Sequence, residues 1–284
     1  MKHLRNVIEN IKQNPESSEK LQELIWELIC YSPKMPVRLH QQELINASEQ
    51  VQLSVYDQYF SGKQLNFPCF KWGEGTKTIL LVHGWGSKAL DFYELIKEIL
   101  KVPNTSVIAF DAPGNGNAEG HLSNLFLFAE GIKIIEKVYG IPDVLIGHSL
   151  GGMAGVRVLH ETRDFPKLLI TIAPLINLKE NFIASMSGVG IPTGDQQLFL
   201  DNFEARYGQS INDFHVNQMY DFDGKVEHLL LYEQNDLVTP AADIEEFLSQ
   251  HSEVKTIKHE HTTHAKIISD AIVIEEIVRK VKEI

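Results

Sequence analysis

The residues Gly147-His148-Ser149-Leu150-Gly151 follow the apolar run Val144-Leu145-Ile146 and lead into a small-residue segment suited to a helix. A serine at a sharp strand-to-helix turn stands clear of its neighbours, because the turn holds it in a strained backbone conformation. Gly147 and Gly151 flank it because side chains there would collide with the adjoining strand and helix. The hydroxyl would sit over the positive end of that helix. A free serine is a poor nucleophile. Ser149 can do chemistry only with a base, an acid to orient the base, and donors for a developing oxyanion.

Later segments supply candidates for each part. The acid belongs just past a later strand, and Leu229-Leu230-Leu231-Tyr232-Glu233-Gln234-Asn235-Asp236 puts Asp236 there. Leu237-Val238-Thr239-Pro240 then closes a loop and starts a helix, with Pro240 in its first turn. The competing role for Asp236 is to cap that loop. Glu233, still at the strand end, and Asp223, before the strand, are weaker candidates. The base should follow the last strand, where Lys258-His259-Glu260-His261-Thr262-Thr263-His264-Ala265 offers three histidines. His264 directly precedes the expected final helix and is favoured, with His261 second. Its ring would take the Ser149 proton through one nitrogen and donate the other N–H to Asp236. The same three histidines also invite a metal reading. That reading leaves Ser149 and Asp236 unexplained and draws all its ligands from one segment, so no metal site is expected.

One oxyanion donor is the backbone N–H of Leu150, next to the nucleophile. The second is expected from His83-Gly84-Trp85-Gly86-Ser87, where two glycines let the chain turn close to a substrate oxygen and the Trp85 N–H is the candidate. The pocket is expected to draw on Gly84, Trp85 and His148, and on Phe182, Phe199 and Phe203 further along; packing among themselves is the alternative for the three phenylalanines. Asp111, in Asp111-Ala112-Pro113-Gly114-Asn115-Gly116, reads as a turn-stabilising residue rather than a catalytic acid.

These residues need a scaffold. Short apolar strands at Thr78–Val82, Ser106–Phe110, Asp143–Ile146 and Leu168–Ile172 alternate with helices at Asp91–Leu100, Asn124–Val138 and Leu150–His160. The pattern resumes with His228–Tyr232, Ala241–Gln250, Val254–Lys258 and Ala265–Lys282. Such alternation predicts an α/β fold, a mostly parallel sheet with helices on both faces. A hairpin of Val51–Tyr59 and Leu65–Trp72 is expected ahead of it. Residues 1–50 read as a helical extension, with a helix start at Asn14-Pro15-Glu16, one apolar face of Leu21, Leu24, Ile25, Leu28 and Ile29, and a second short helix over Gln41 to Glu49. That face is expected to pack on the chain's own sheet, a dimer surface being the alternative. Residues 177–224 break the alternation and read as a cap or lid inserted into a core of 51–176 and 225–284. An insertion at that point lies over the strand ends where ligands bind in open α/β sheets.

Net charge of −12 argues against nucleic acid or an anionic membrane as the main partner. No apolar run is long enough to span a bilayer, and the first residues lack a signal-peptide core, so a cytoplasmic protein is expected. Cys30 and Cys69 lack metal-ligand spacing and read as buried, reduced thiols.

Taken together, His83-Gly84-Trp85-Gly86, Asp111-x-Pro113-Gly114-x-Gly116, Gly147-His148-Ser149-Leu150-Gly151-Gly152, Asp236-x-Val238-x-Pro240 and His264 resemble the α/β-hydrolase superfamily, in its order, over about residues 65–284. More narrowly, Pro33 to Pro36, Asp111-Ala112-Pro113 and His261-Thr262-Thr263-His264 resemble bacterial hydrolases with a helical N-terminal extension. Asn115-Gly116-Asn117 departs from the His-Gly followed by Ser or Thr that many relatives carry. The resemblance implies a Ser149–Asp236–His264 triad and no cofactor. Epoxide hydrolases and haloalkane dehalogenases of the superfamily carry aspartate where this chain has Ser149. The expected reaction is hydrolysis of a small carboxylic ester or thioester through an acyl-serine. C–C bond hydrolysis, amidase activity and acyl transfer are alternatives on the same residues. A non-catalytic ligand-binding protein is the alternative of a different class.

Overall fold

The computed structural model describes residues 2–13 and 17–284. Two helices come first, α1 (Lys2–Gln13) and α2 (Glu19–Cys30), then a short α3 (Gln42–Asn46). The strand pair β1 (Glu49–Asp57) and β2 (Lys63–Trp72) follows. Next come β3 (Lys77–Val82), α4 (Tyr93–Ile99), β4 (Thr105–Phe110), α5 (Leu125–Tyr139), β5 (Val144–His148), α6 (Leu150–Thr162) and β6 (Leu168–Ile172). The helices α7 (Leu178–Gly188), α8 (Thr193–Tyr207) and α9 (Val216–Met219) precede β7 (Glu227–Glu233), α10 (Ala241–Gln250), β8 (Lys255–His259) and α11 (Ala271–Glu283).

Among the described residues the eight strands form one sheet, ordered β1-β2-β4-β3-β5-β6-β7-β8. The first two strands form an antiparallel hairpin, and β2 runs antiparallel to β4. Every pairing from β4 through β8 is parallel. Side chains alternate between two cores, as the pleat requires. Leu80, Val82 and Leu145 join α2, α5 and α6 on one face, while Ile79, Leu81, Val144 and Ile146 join α4 and α11 on the other. The chain leaves β3 toward β4 and returns across it to β5. The strand order therefore reverses between β3 and β5, where open α/β sheets form a ligand crevice beyond their C-terminal ends.

The helix start read at Asn14-Pro15-Glu16 lies outside the described residues. The structure has α2 begin after Ser18, whose hydroxyl accepts the Leu21 N–H. The expected final helix from Ala265 is corrected to α11, capped by Asp270, which accepts the Ile272 and Val273 N–H groups; a 3-10 turn, Ile267–Ser269, comes first. His264 therefore sits in a loop rather than against the helix. The second short helix ends at Asn46, because β1 already begins at Glu49.

The extension's apolar face does not lie on the sheet as expected. It packs instead against α7 and α8. The Trp26 ring sits 4.8 Å from Phe199 and is stacked on Phe203 at 6.5 Å. The Arg206 guanidinium covers it at 4.4 Å. Ser17 donates to the Asp195 carboxylate at 2.7 Å and Gln22 to the Asp195 carbonyl at 3.2 Å. No helix among the described residues is long and apolar enough to cross a membrane.

Candidate active site

Ser149 joins β5 to α6 with φ 52° and ψ −121°, a left-handed conformation that a non-glycine residue adopts only under constraint. The constraint is visible on both sides. A Cβ at Gly147 would stand 2.6 Å from the backbone of Gly151 and Gly152, and one at Gly151 would stand 2.4 Å from the Val82 and His83 carbonyl oxygens. The Ser149 N–H is tied to the Ile172 carbonyl at 3.0 Å, and the Ser149 carbonyl takes the Leu175 N–H at 3.2 Å. These contacts fix the elbow against β3 and β6.

His264 Nε2 lies 3.0 Å from Ser149 Oγ, and its Nδ1 lies 2.7 Å from Asp236 Oδ2. This spacing matches a relay in which Nδ1–H donates to the carboxylate and Nε2 faces the hydroxyl. Asp236 is buried. Burial pushes its carboxyl up, but the bond to His264 and the Val238 and Thr239 N–H groups, at 2.8 and 3.1 Å, outweigh this and hold it below the usual range. Thr239 Oγ1 also donates to Asp236 Oδ2 at 3.0 Å. The carboxylate thus stays ionised and oriented.

The other candidates go elsewhere. His261 pairs with Asp270 at 3.2 Å, and His259 lies 3.2 Å from Glu276. The three histidines of this segment thus face three different carboxylates. Glu233 accepts the Asn235 N–H at 3.3 Å and the Thr262 N–H at 3.1 Å, which anchors the His264 loop to the end of β7. Asp223 is exposed in a turn. Asp111 is buried and accepts the Ala89 and Asn117 N–H groups, each at 2.8 Å. It shapes the loop after β4.

His148 and Gly84 support the site from behind; neither they nor Phe199 line the cavity, contrary to the expectation for the pocket. His148 Nε2 lies 2.9 Å from the His264 carbonyl and donates to it. Burial, then the neighbouring His264, push His148 down to about 3, so the ring is neutral. A Cβ at Gly84 would stand 3.0 Å from both His148 Nδ1 and Ser149 Cβ, so a side chain there would press on the nucleophile and the ring behind it. Phe199 lies behind the cavity, 5.8 Å from Phe182. His83 is locked in one tautomer: its Nδ1–H donates to the Gly84 carbonyl at 2.7 Å and its Nε2 accepts the Ala112 N–H at 2.9 Å.

A cavity of about 230 Å³ opens on Ser149. Trp85 and Leu150 border it, together with Phe182 and Phe203. The sequence reading missed other parts of its wall, among them Leu28, Ile29 and Cys30 of α2, Leu175 just before the 177–224 stretch, and Leu178, Asn181 and Ser185 of α7. The α2 stripe had signalled burial, but periodicity does not name the surface that buries it. Burial pushes the Cys30 thiol far up, so it stays protonated beside Ser149.

Asn115, the departure noted above, is fully buried at a junction. Its carbonyl oxygen accepts the Ser32 hydroxyl and the Gly86 N–H, the latter at 3.2 Å. Its amide donates to Ser123 Oγ at 3.0 Å and to the Pro113 carbonyl at 3.3 Å. One side chain therefore joins the segment after α2, the loop after β3, the loop after β4 and the entry to α5.

Residues 79–265 match the alpha/beta hydrolase family. A Mycoplasma pneumoniae protein that carries the name esterase/lipase 2 is 24% identical over 220 residues, 63% of this chain and 78% of that protein. Among solved structures, an esterase of Pyrococcus furiosus superposes with a TM-score of 0.59 at 19% identity, covering 90% of this chain and 96% of that one. A thermophilic esterase of Thermogutta terrifontis superposes with a TM-score of 0.56 at 17% identity, covering 82% and 99%. At these identities the superpositions establish the fold.

Proposed function

The chain belongs to the alpha/beta hydrolase family, and from that premise we propose that it is a serine hydrolase that cleaves small carboxylic esters or thioesters through an acyl-serine. The observation that carries this reading is the line from Asp236 through His264 to Ser149, at 2.7 and 3.0 Å, ending in a mostly apolar cavity. The relatives with esterase names point the same way.

In this mechanism Ser149 Oγ attacks the carbonyl carbon as His264 Nε2 takes its proton. The carbonyl oxygen gains the negative charge and is held by the Trp85 and Leu150 N–H groups. Asp236 stabilises the imidazolium without taking its proton. The tetrahedral species collapses: the bond to the leaving alkoxide or thiolate breaks, and His264 returns the proton to that group. Water then attacks the acyl-serine with His264 again as base, releasing the acid and free Ser149.

The cavity suits an acyl group of modest size. Its volume of about 230 Å³ falls below the roughly 300–1,000 Å³ of pockets that hold drug-sized ligands. Leu28, Ile29, Leu178, Phe182 and Phe203 reward apolar surface, so short to medium acyl chains are the expected substrates.

Covalent labelling with a fluorophosphonate, read by intact mass, tests the reading. One adduct on the wild type, absent from Ser149→Ala and His264→Ala, is the expected result. A folded wild type that takes no label overturns it and favours a ligand-binding role for the same cavity.

A further inference from the structure

A second group of chemistry-bearing side chains lies outside the triad. His3 of α1, Glu27 of α2 and His121 of the loop before α5 converge on the surface. His3 Nε2 lies 2.8 Å from Glu27 Oε2, and His121 Nε2 lies 3.0 and 3.1 Å from the two Glu27 oxygens. One ligand atom from each residue falls within 4.8 Å of the others.

The arrangement is organised by its surroundings. Leu122 forms a β-bridge with Tyr31, and the Ser123 N–H donates to the Cys30 carbonyl at 2.8 Å. Backbone bonds thus set the distance between Glu27 and His121. The Tyr31 ring packs against both imidazoles, with centroids 4.4 Å from His3 and 5.3 Å from His121, and limits their rotation. His3 is carried to the group by α1, which buries Val7 and Ile11 in the same core as Leu21 and Ile25 of α2. Among the described residues no lysine or arginine forms an ion pair with Glu27. The side-chain contacts of its carboxylate are those to the two imidazoles.

We propose that His3, Glu27 and His121 bind one divalent transition-metal ion of the zinc class. Two imidazole nitrogens and a carboxylate oxygen suit zinc, cobalt or nickel far better than calcium or magnesium, which favour oxygen ligands. Zinc bonds of about 2.0–2.2 Å in a tetrahedral site place ligand atoms about 3.3 Å apart. The histidine-to-carboxylate separations of 2.8 to 3.1 Å reach that value by shifts of a few tenths of an ångström, and the two ring nitrogens, within 4.8 Å of each other, close in by adjustment of partly exposed side chains. Water would complete the sphere. Binding replaces an N–H···O contact at each histidine by a metal bond from Nε2, with the ring proton carried on Nδ1.

The site spans three segments. Its metal would tie α1 and α2 to the loop that runs into Ser123, Asn124 and Leu125, and both α2 and that loop border the cavity on Ser149. The role is a staple for the cavity wall, separate from the chemistry at Ser149.

The test uses full-length protein without a histidine tag, stripped with a chelator and titrated with zinc by calorimetry and with cobalt by visible absorption. The expected result is one equivalent of zinc, four-coordinate cobalt bands, and a melting temperature raised by several degrees at metal about 100-fold above its Kd. His121→Ala and Glu27→Gln, both on the surface, should each weaken binding at least tenfold and remove the thermal shift, while His261→Ala should bind as the wild type does. Absence of a one-to-one isotherm in the wild type overturns the proposal. So does unchanged binding in His121→Ala and Glu27→Gln, which would move the metal to other histidines.

Discussion

At the scale of single residues, the site is governed by groups that keep Asp236 charged and His264 in one orientation. Asp236→Asn reverses the donor at His264 Nδ1 and leaves the wrong tautomer facing Ser149. Its kcat should fall by about a thousandfold to ten-thousandfold with KM little changed, measured on a chromogenic short-chain ester. Asn115 acts through the loop it holds rather than on substrate. Removing its side chain in Asn115→Ala frees the Gly86 N–H and leaves Ser32 and Ser123 without their shared partner. The expected outcome is a stability loss of about 1–3 kcal/mol by urea titration. A fall in kcat larger than any rise in KM should accompany it, because the loop that carries the Trp85 N–H loses its anchor. Equal kcat in Asn115→Ala and the wild type would show that Gly86 needs no such anchor.

At the scale of elements, the cavity wall is built by helices far apart in the chain. Leu28 reaches it from α2 and Phe203 from α8. Leu28→Trp should fill part of the acyl space. The ratio of kcat/KM for a butanoyl over an acetyl ester should then fall about tenfold or more, while labelling by a small fluorophosphonate persists. The same division explains what the sequence revealed. Ser149 and Asp236 each follow an apolar strand at a turn, so a local pattern marks them, whereas His264 was legible from the chain order of acid and base after the last strand. The 3-10 turn before α11 was hidden because Ala265–Ser269 continues the helical periodicity, although Ser269-Asp270 carries a cap signal. The partner of α2 was not legible, since its stripe of Leu21, Leu24, Ile25, Leu28 and Ile29 looks the same whether it faces a sheet or α7 and α8. Phe199 and Phe203 lie four residues apart on one helix face, yet only Phe203 reaches the cavity. Asn115 could be read as unusual, but its four partners come from segments that only the fold brings together.

At the scale of the whole molecule, several histidines are folded away in neutral form. His228 is buried between the hydroxyls of Thr171 and Tyr220, at 2.8 and 3.0 Å. Burial pushes both His148 and His228 down to about 3. An unfolded histidine takes its proton near pH 6.5, whereas these take theirs near pH 3, so the unfolded chain binds more protons between the two values. Stability should therefore be full above about pH 6.5 and decline as pH falls toward 3. Urea midpoints at pH 8, 6 and 5 check this. The slope should approach about 1.4 kcal/mol per pH unit for each such histidine, and His228→Gln should flatten it by about one such increment. A slope unchanged in His228→Gln would show that this ring titrates alike in both states.

The packing of Trp26 against Phe199 and Phe203 also bears on how the chain is made. Trp26 leaves the ribosome more than 170 residues ahead of Phe199. At about 5–20 residues per second, the apolar side of α2 waits on the order of 10–30 s before its partners exist. Throughout that interval the side of α2 that later meets α7 and α8 is left without its partners, an apolar surface a chaperone can hold. Until α8 emerges, the cavity on Ser149 lacks the wall that Phe203 supplies, so the pocket can close only after the chain has passed that helix.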